Sequence, residues 1–374
     1  MTLLIAELKK LLALFRADPK SIGAGILPPT VILIAFFFTI GSFSPIDIAI
    51  FNDDQGPLGA RLEQCILSER SPLGDRPYFQ AVQADRAAAQ ERFAEDRLYA
   101  YLEIPADFSA TLADGGTPEL VFHLNNYSTD IAKNLRLYLD EGILAFYEAT
   151  DPGLQVTVLE ESNVPTLVSW FELVGSGVFL LSFLLGVVAS VLYLLSMERR
   201  NGTLMTYRLA PVRLLPSLAA RTLVALLSGT ITATVDGLLL YLLTGRDYLP
   251  HLPRMLPALL TIGLIYCFLA LVLGLYLESF AGSILVGLLG TCLLWFLSGA
   301  TFSIQNSTGI LCSVGQLIPN TYVLSDLRGA LFGMDPSIGS VSYRHGWLVL
   351  LAYLAGTAAL ACFACHRRLV RAHR

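Results

Sequence analysis

Apolar residues follow two different rhythms along this chain. Over Ile22 to Phe43, Leu167 to Met197, Leu214 to Thr244, Met255 to Leu277, Ala281 to Phe302 and Gly346 to Cys365 they are almost unbroken. A helix needs about 20 predominantly apolar residues to cross roughly 30 Å of hydrocarbon, so these stretches predict six membrane spans. Ahead of them, Leu4, Leu8, Leu11, Leu12 and Phe15 recur at helical spacing, with Glu7, Lys9 and Lys10 between. That pattern predicts an amphipathic helix on a membrane surface within residues 1–21, ended by Asp18-Pro19. The first span, residues 22–44, is interrupted by Pro28-Pro29. It exceeds the roughly 7 to 15 apolar residues of a cleaved signal and reads as an uncleaved anchor.

The second rhythm fills residues 45–165. Ile46 to Phe51 reads as a strand, Asn52 to Gly56 as a turn, Ala84 to Asp96 as a helix and Leu98 to Ile104 as a strand. Pro118 to Leu124 is a further strand, Thr129 to Ala149 a long amphipathic helix, and Gln155 to Leu159 a last strand. Alternation of this kind over about 120 residues predicts one compact α/β domain. Residues 166–374 return to membrane character with five spans. Between the last two, residues 304–343 hold apolar pieces too short to cross, which suits re-entrant or interfacial helices. The fold class expected is thus a six-span α-helical membrane protein with an inserted α/β domain.

Charge changes the picture by giving the chain two sides. Residues 45–165 carry 21 acidic and 8 basic side chains, against 9 and 17 in the remainder. Phosphates would be repelled by the acidic part, which excludes nucleic acid as its partner. Lys9, Lys10, Arg16 and Lys20 precede the first span; Arg199, Arg200, Arg208 and Arg213 separate the second and third; Arg367, Arg368, Arg371 and Arg374 follow the sixth. Opposite them stand only Arg246, Arg254, Arg328 and Arg344. Basic loops stay in the cytoplasm, so both termini are expected there, with the 45–165 domain extracytoplasmic.

Catalytic chemistry is hard to find. His123, His251, His345, His366 and His373 never pair at metal-ligand spacing. A phosphate loop needs glycines ahead of Lys-Ser or Lys-Thr, and Lys20-Ser21 follows Asp18-Pro19 instead. Cys362, Cys365 and His366 spell a haem-attachment signature, but at the cytoplasmic end of a span it reads as coincidence. No cofactor or metal is expected. Asp236 sits mid-span near Thr232, and an intramembrane carboxylate is either functional or packed and hydrogen-bonded at a helix interface.

The densest signal lies in residues 197–213. Glu198-Arg199-Arg200-Asn201-Gly202-Thr203-Leu204, followed by Ala210-Pro211, reads either as a solvated cytoplasmic loop or, from its charged start and Gly-Thr break, as a short helix lying along the membrane face. It resembles the coupling segment of type-2 ABC transporter permeases, with its acidic-basic pair, Gly-Thr-Leu and following proline. Ile48 to Gly56 resembles the first extracytoplasmic strand and turn of large-loop members, and Tyr99 to Ser109 their next strand and Pro-x-x-Phe turn. Leu317-Ile318-Pro319-Asn320-Thr321-Tyr322, with Arg328, resembles the segment after their fifth span. The family often has a proline-containing loop directly after that span, where this chain has Ser303 to Ser307.

The resemblance implies an exporter permease in a bacterial inner membrane, working as a homo- or heterodimer among membrane lipids. Separate cytoplasmic ATPase subunits would push on Glu198, Arg199, Arg200, Gly202, Thr203, Leu204 and Pro211. Pro319, Tyr322 and Arg328 would belong to an outer gate. The outer domain would guide substrate or meet a periplasmic adaptor. The competing reading is a membrane-anchored receptor or scaffold, against which six spans weigh, because display needs only one.

Overall fold

The computed structural model describes residues 2–17, 20–41, 45–70, 76–95, 98–124, 129–150, 168–203, 214–277, 279–301, 310–334 and 343–370. The chain opens with α1 (Thr2–Ala17) and α2 (Lys20–Phe36), the latter continuing as a wider π-turn over Phe37–Gly41. It then builds a separate unit, Ser42–Glu161. That unit holds β1 (Ile46–Asn52), α3 (Pro57–Ser68), β2 (Phe79–Ala81), α4 (Arg86–Ala94), β3 (Ala100–Ile104), α5 (Phe108–Ala113), β4 (Val121–Leu124) and α6 (Thr129–Thr150). The expected strand at Gln155–Leu159 lies outside the described residues. The chain returns through α7 (Trp170–Arg200), α8 (Leu214–Thr244), α9 (Leu252–Tyr276), α10 (Phe280–Leu297), the short α11 (Ile310–Gln316) and α12 (Pro319–Phe332), and α13 (Tyr343–Cys365).

Six of these helices are long and apolar enough to cross a bilayer: α2, α7, α8, α9, α10 and α13. They make a polytopic membrane protein. Among them α7 is central, with 94% of its apolar stretch buried against 17 to 61% in the other five. It packs against α2, α8, α9 and α10. Its first turn is closed by a capping box, in which Ser169 Oγ accepts from the Glu172 amide and the Glu172 carboxylate accepts from the Ser169 amide.

Two prolines do not break α2, contrary to the interruption that Pro28-Pro29 suggests. Each removes a backbone donor, but α7 and α8 pack against the helix, and neighbours of this kind let spans keep prolines. The apolar face of α1 (Leu4, Leu8, Leu11, Leu12 and Phe15) packs on Leu194, Ala220 and Val224 of α7 and α8. The expected amphipathic helix is present, with spans rather than lipid alone beneath it.

In the Ser42–Glu161 unit the sheet order is β2-β1-β3-β4, parallel except for the antiparallel β3–β4 pair. Ile48, Leu102 and Ile104 pack on one face with Leu62 and Ile66 of α3 and Leu135, Leu139 and Phe146 of α6. On the other face Ala49 and Tyr101 meet Ala89 and Phe93 of α4. One carboxylate joins two helix ends. Asp54 accepts from the Gly59 amide at 2.9 Å, near the start of α3, and from the Ser109 amide at 3.1 Å, near the start of α5. Ser109 Oγ also donates to it at 2.5 Å. Helix N-termini leave donors without partners and carry partial positive charge, which is what this acid satisfies.

Burial works against ionisation of Asp54, but the Ser109, Gly59 and Gly56 hydrogen bonds outweigh it and hold its carboxyl below the ordinary value. A carboxyl depressed in the folded state stabilises above its unfolded pKa, about 3.9, and loses that contribution as pH falls through the folded value. Asp54→Ala should therefore weaken the unit by about 1–2 kcal/mol at neutral pH. The difference from wild type should shrink below about pH 4. Hydrogen exchange of the Leu58, Gly59 and Ser109 amides in the full-length chain measures it.

Candidate functional site

Glu198 ends the longest helix of the fold in an unusual position. It lies in the last turn of α7 and is fully buried. A buried carboxylate persists only when paired and hydrogen-bonded. Lys10 of α1 approaches it at 2.9 Å, and Arg221 of α8, itself 6% exposed, bonds the other carboxylate oxygen. Lys10 also pairs with Glu7 one turn earlier, at 2.7 Å. One acid thus clamps three helices where α7 runs out.

The residues that follow fan away from this clamp. Arg199 donates to the Gly274 and Leu277 carbonyls at 2.8 and 3.1 Å, satisfying acceptors that the end of α9 would leave open. Arg200 lies over the Phe280 ring at 5.4 Å. Asn201 caps α7, and Gly202 follows at φ +69, the left-handed conformation in which a Cβ is strained. Thr203 Oγ1 donates back to the Glu198 carbonyl at 3.1 Å. Leu204 and Pro211 lie outside the described residues. The structure therefore gathers Glu198, Arg199, Arg200, Gly202 and Thr203 at one helix end.

A second polar cluster sits within the spans. Asp236, buried in α8, accepts from Thr30 Oγ1 of α2 at 2.6 Å, and Ser182 of α7 lies beside it. One turn away, Thr232 Oγ1 donates to the Ser182 carbonyl at 2.7 Å. The helices meet here almost backbone to backbone, since a Cβ on Gly25 would fall 2.8 Å from the Gly186 Cα. Small residues permit that approach. Asp236 thus has hydroxyl neighbours and no ion pair among the described residues.

The third group lies at the far end of α7. Arg328 of α12, 8% exposed, donates to the Gly299 and Ala300 carbonyls just past α10, at 3.1 and 3.0 Å. It also reaches the Leu173 carbonyl and Ser176 Oγ of α7, each at 3.3 Å. Pro319 opens α12, and Tyr322 donates to the Gln316 carbonyl at 2.6 Å. Pro319, Tyr322 and Arg328 share this helix, but Tyr322 braces α11 while Arg328 ties α10 to α7. Nearby on α7, Glu172 pairs with Arg246 at 2.5 Å, and Arg246 lies 5.1 Å over the Phe332 ring.

Sequence reasoning missed Arg221, Thr30 and Ser176 as partners, and Arg246 as the partner of Glu172. Helical phase offers part of the missing signal. Arg221 stands near the start of α8, on the same side of the membrane as Glu198. Of the haem-like triplet, Cys365 is buried at the end of α13 while Cys362 and His366 are exposed.

The family model described as ABC-2 family transporter protein matches residues 26–364. No curated protein and no solved structure matches the chain.

The buried clamp makes a measurable claim. Removing one partner of such a pair costs about 3–5 kcal/mol, because the other charge is left buried. Glu198→Ala should therefore lower the unfolding midpoint of the purified protein sharply. Arg221→Met in the same chain should recover much of the loss. Independent, additive losses in the double variant would show that the two charges do not act as a pair.

Proposed function

The chain belongs to the ABC-2 family of transporter proteins, and from that premise we propose that it is the permease subunit of an ATP-driven exporter. Family membership makes it a membrane transport component. Export direction, a separate ATPase, pairing with a second permease subunit and the outer placement of residues 42–161 belong to this proposal.

The observation that carries the reading is Glu198. It is a buried acid placed where α7 hands over to the Gly202 segment, and it is bonded to α1 and α8 at once. A push delivered to residues 201–213 by a cytoplasmic ATPase would act on three helices through one ion cluster. The opposite end of α7 bears Glu172 and meets Arg328 of α12, and their bonds tie it to α12, the α8–α9 loop and the residues past α10. These are the elements that would part to open an outer gate. Asp236 lies between the two ends, against α2 and α7, where relative movement of those helices would break its bond to Thr30. The distribution of arginines supports a cytoplasmic position for the Glu198 end, and the acidic excess of residues 45–165 supports an outer one for the α/β unit.

Two measurements test this. When the chain is copurified with its ATPase, Glu198→Ala and Gly202→Val should change the ATP hydrolysis rate several-fold; an unaltered rate in both would remove coupling from this segment. Cysteine labelling from outside intact cells should modify Asp114→Cys and spare Arg200→Cys, and the reverse pattern would overturn the orientation.

A further inference from the structure

An apolar groove of about 470 Å³ runs between α9 and α10 against α7, within the range of about 300–1,000 Å³ common to small-ligand sites. Val188, Tyr266, Leu273, Tyr276, Val286 and Gly290 are among its walls. From Tyr266 to Leu277 it follows about 16 Å of helix at 1.5 Å per residue, roughly half of a 30 Å hydrocarbon layer. It is therefore about one leaflet deep, and one end coincides with the end of α9.

That end is basic. Arg368 lies 4.8 Å over the ring of Tyr276, a groove residue. Arg200 lies over Phe280 at the start of α10, and Arg199 bonds the carbonyl of Leu277, another groove residue. Arg200 and Arg368 are exposed, and neither has a carboxylate partner among the described residues. Their guanidinium edges are open to a phosphate, while their faces rest on aromatic rings.

We propose that this groove binds an anionic diacyl phospholipid, with one acyl chain between α9 and α10 and its phosphate on Arg200 and Arg368. Charge complementarity selects that occupant. Basic residues at the cytoplasmic boundary attract anionic headgroups, and a leaflet-deep apolar slot accepts the chain that comes with one. Only the name of the leaflet rests on the orientation proposed above; the site itself needs neither an ATPase nor transport. The lipid would sit beside Arg199 and Arg200, so the coupling end of α7 would respond to the composition of the membrane.

Native mass spectrometry of the purified full-length chain tests the site, using phosphatidylglycerol and phosphatidylcholine with identical acyl chains. Wild type should retain phosphatidylglycerol in preference. Arg200→Gln with Arg368→Gln should weaken it by roughly five-fold per arginine, whereas the Lys variants should keep the preference. Gly290→Leu should reduce binding of both lipids, since a Cβ at Gly290 meets nothing within 4 Å and the side chain can enter the groove without displacing a neighbour. Equal retention of the two lipids by wild type would overturn the proposal. So would unchanged preference without the arginines, or unchanged binding in Gly290→Leu. A dimer that falls apart in Gly290→Leu would show the groove filled by a second copy, and would also overturn it.

Discussion

Because 94% of the apolar stretch of α7 is buried, its charged and strongly polar groups depend on partners inside the protein. Water and lipid reach few of them, so these groups favour particular residues opposite. Glu198 requires cations and draws Lys10 and Arg221 to it. The Ser182 carbonyl and the absence of a side chain at Gly186 admit Thr232. Ser176 and the Leu173 carbonyl meet Arg328, and Glu172 meets Arg246. The groups around Glu198, Asp236 and Arg328 thus meet α7 at three stations along its length.

That arrangement bears on mechanism. Ser176 and Glu198 are 22 residues apart, about 33 Å along a helix at 1.5 Å per residue. A closely packed helix resists compression, so on the proposed mechanism a displacement at one station would be passed on to the other. On the proposed mechanism the clamp and the gate are the two ends of one rod. Asp236 lies where that rod touches its nearest neighbours. Buried ion pairs stabilise a fold poorly compared with apolar packing. At Glu198 the ion cluster joins α1, α7 and α8 through a single side chain.

The spans were legible because an unbroken apolar run is a local property. Leu214–Thr244 has the same bounds in the sequence pattern and in α8. The pieces between the last two spans, read as too short to cross, contain helices of 7 and 14 residues. The motif around Glu198 was legible for the same reason, since its residues are consecutive. What could not be read is what covers what. The apolar stretches of α7 and α10 have mean hydropathies of 2.6 and 2.1, yet 94% of one and 22% of the other is buried. Hydropathy measures how readily a segment leaves water, and it does not distinguish protein from lipid as the destination. Arg221 was invisible for a related reason: it lies on another helix, and only packing brings it to Glu198.

The order Glu-Arg-Arg at the end of α7 follows from helical geometry. Successive residues turn by about 100°, so three in a row point in three directions. Glu198 faces inward to α1 and α8, Arg199 turns onto the carbonyls that end α9, and Arg200 faces outward over Phe280. Two acids in the first two places would have left the α9 carbonyls without a donor. An apolar residue in the third would have given up the exposed charge that the proposed lipid site uses. Three consecutive charges thus join two neighbouring helices and the end of a third in one turn. Asn201 then caps the helix, and Gly202 takes the left-handed conformation, at φ +69, that ends it. Any force that enters through the segment beyond Gly202 reaches all of these partners together.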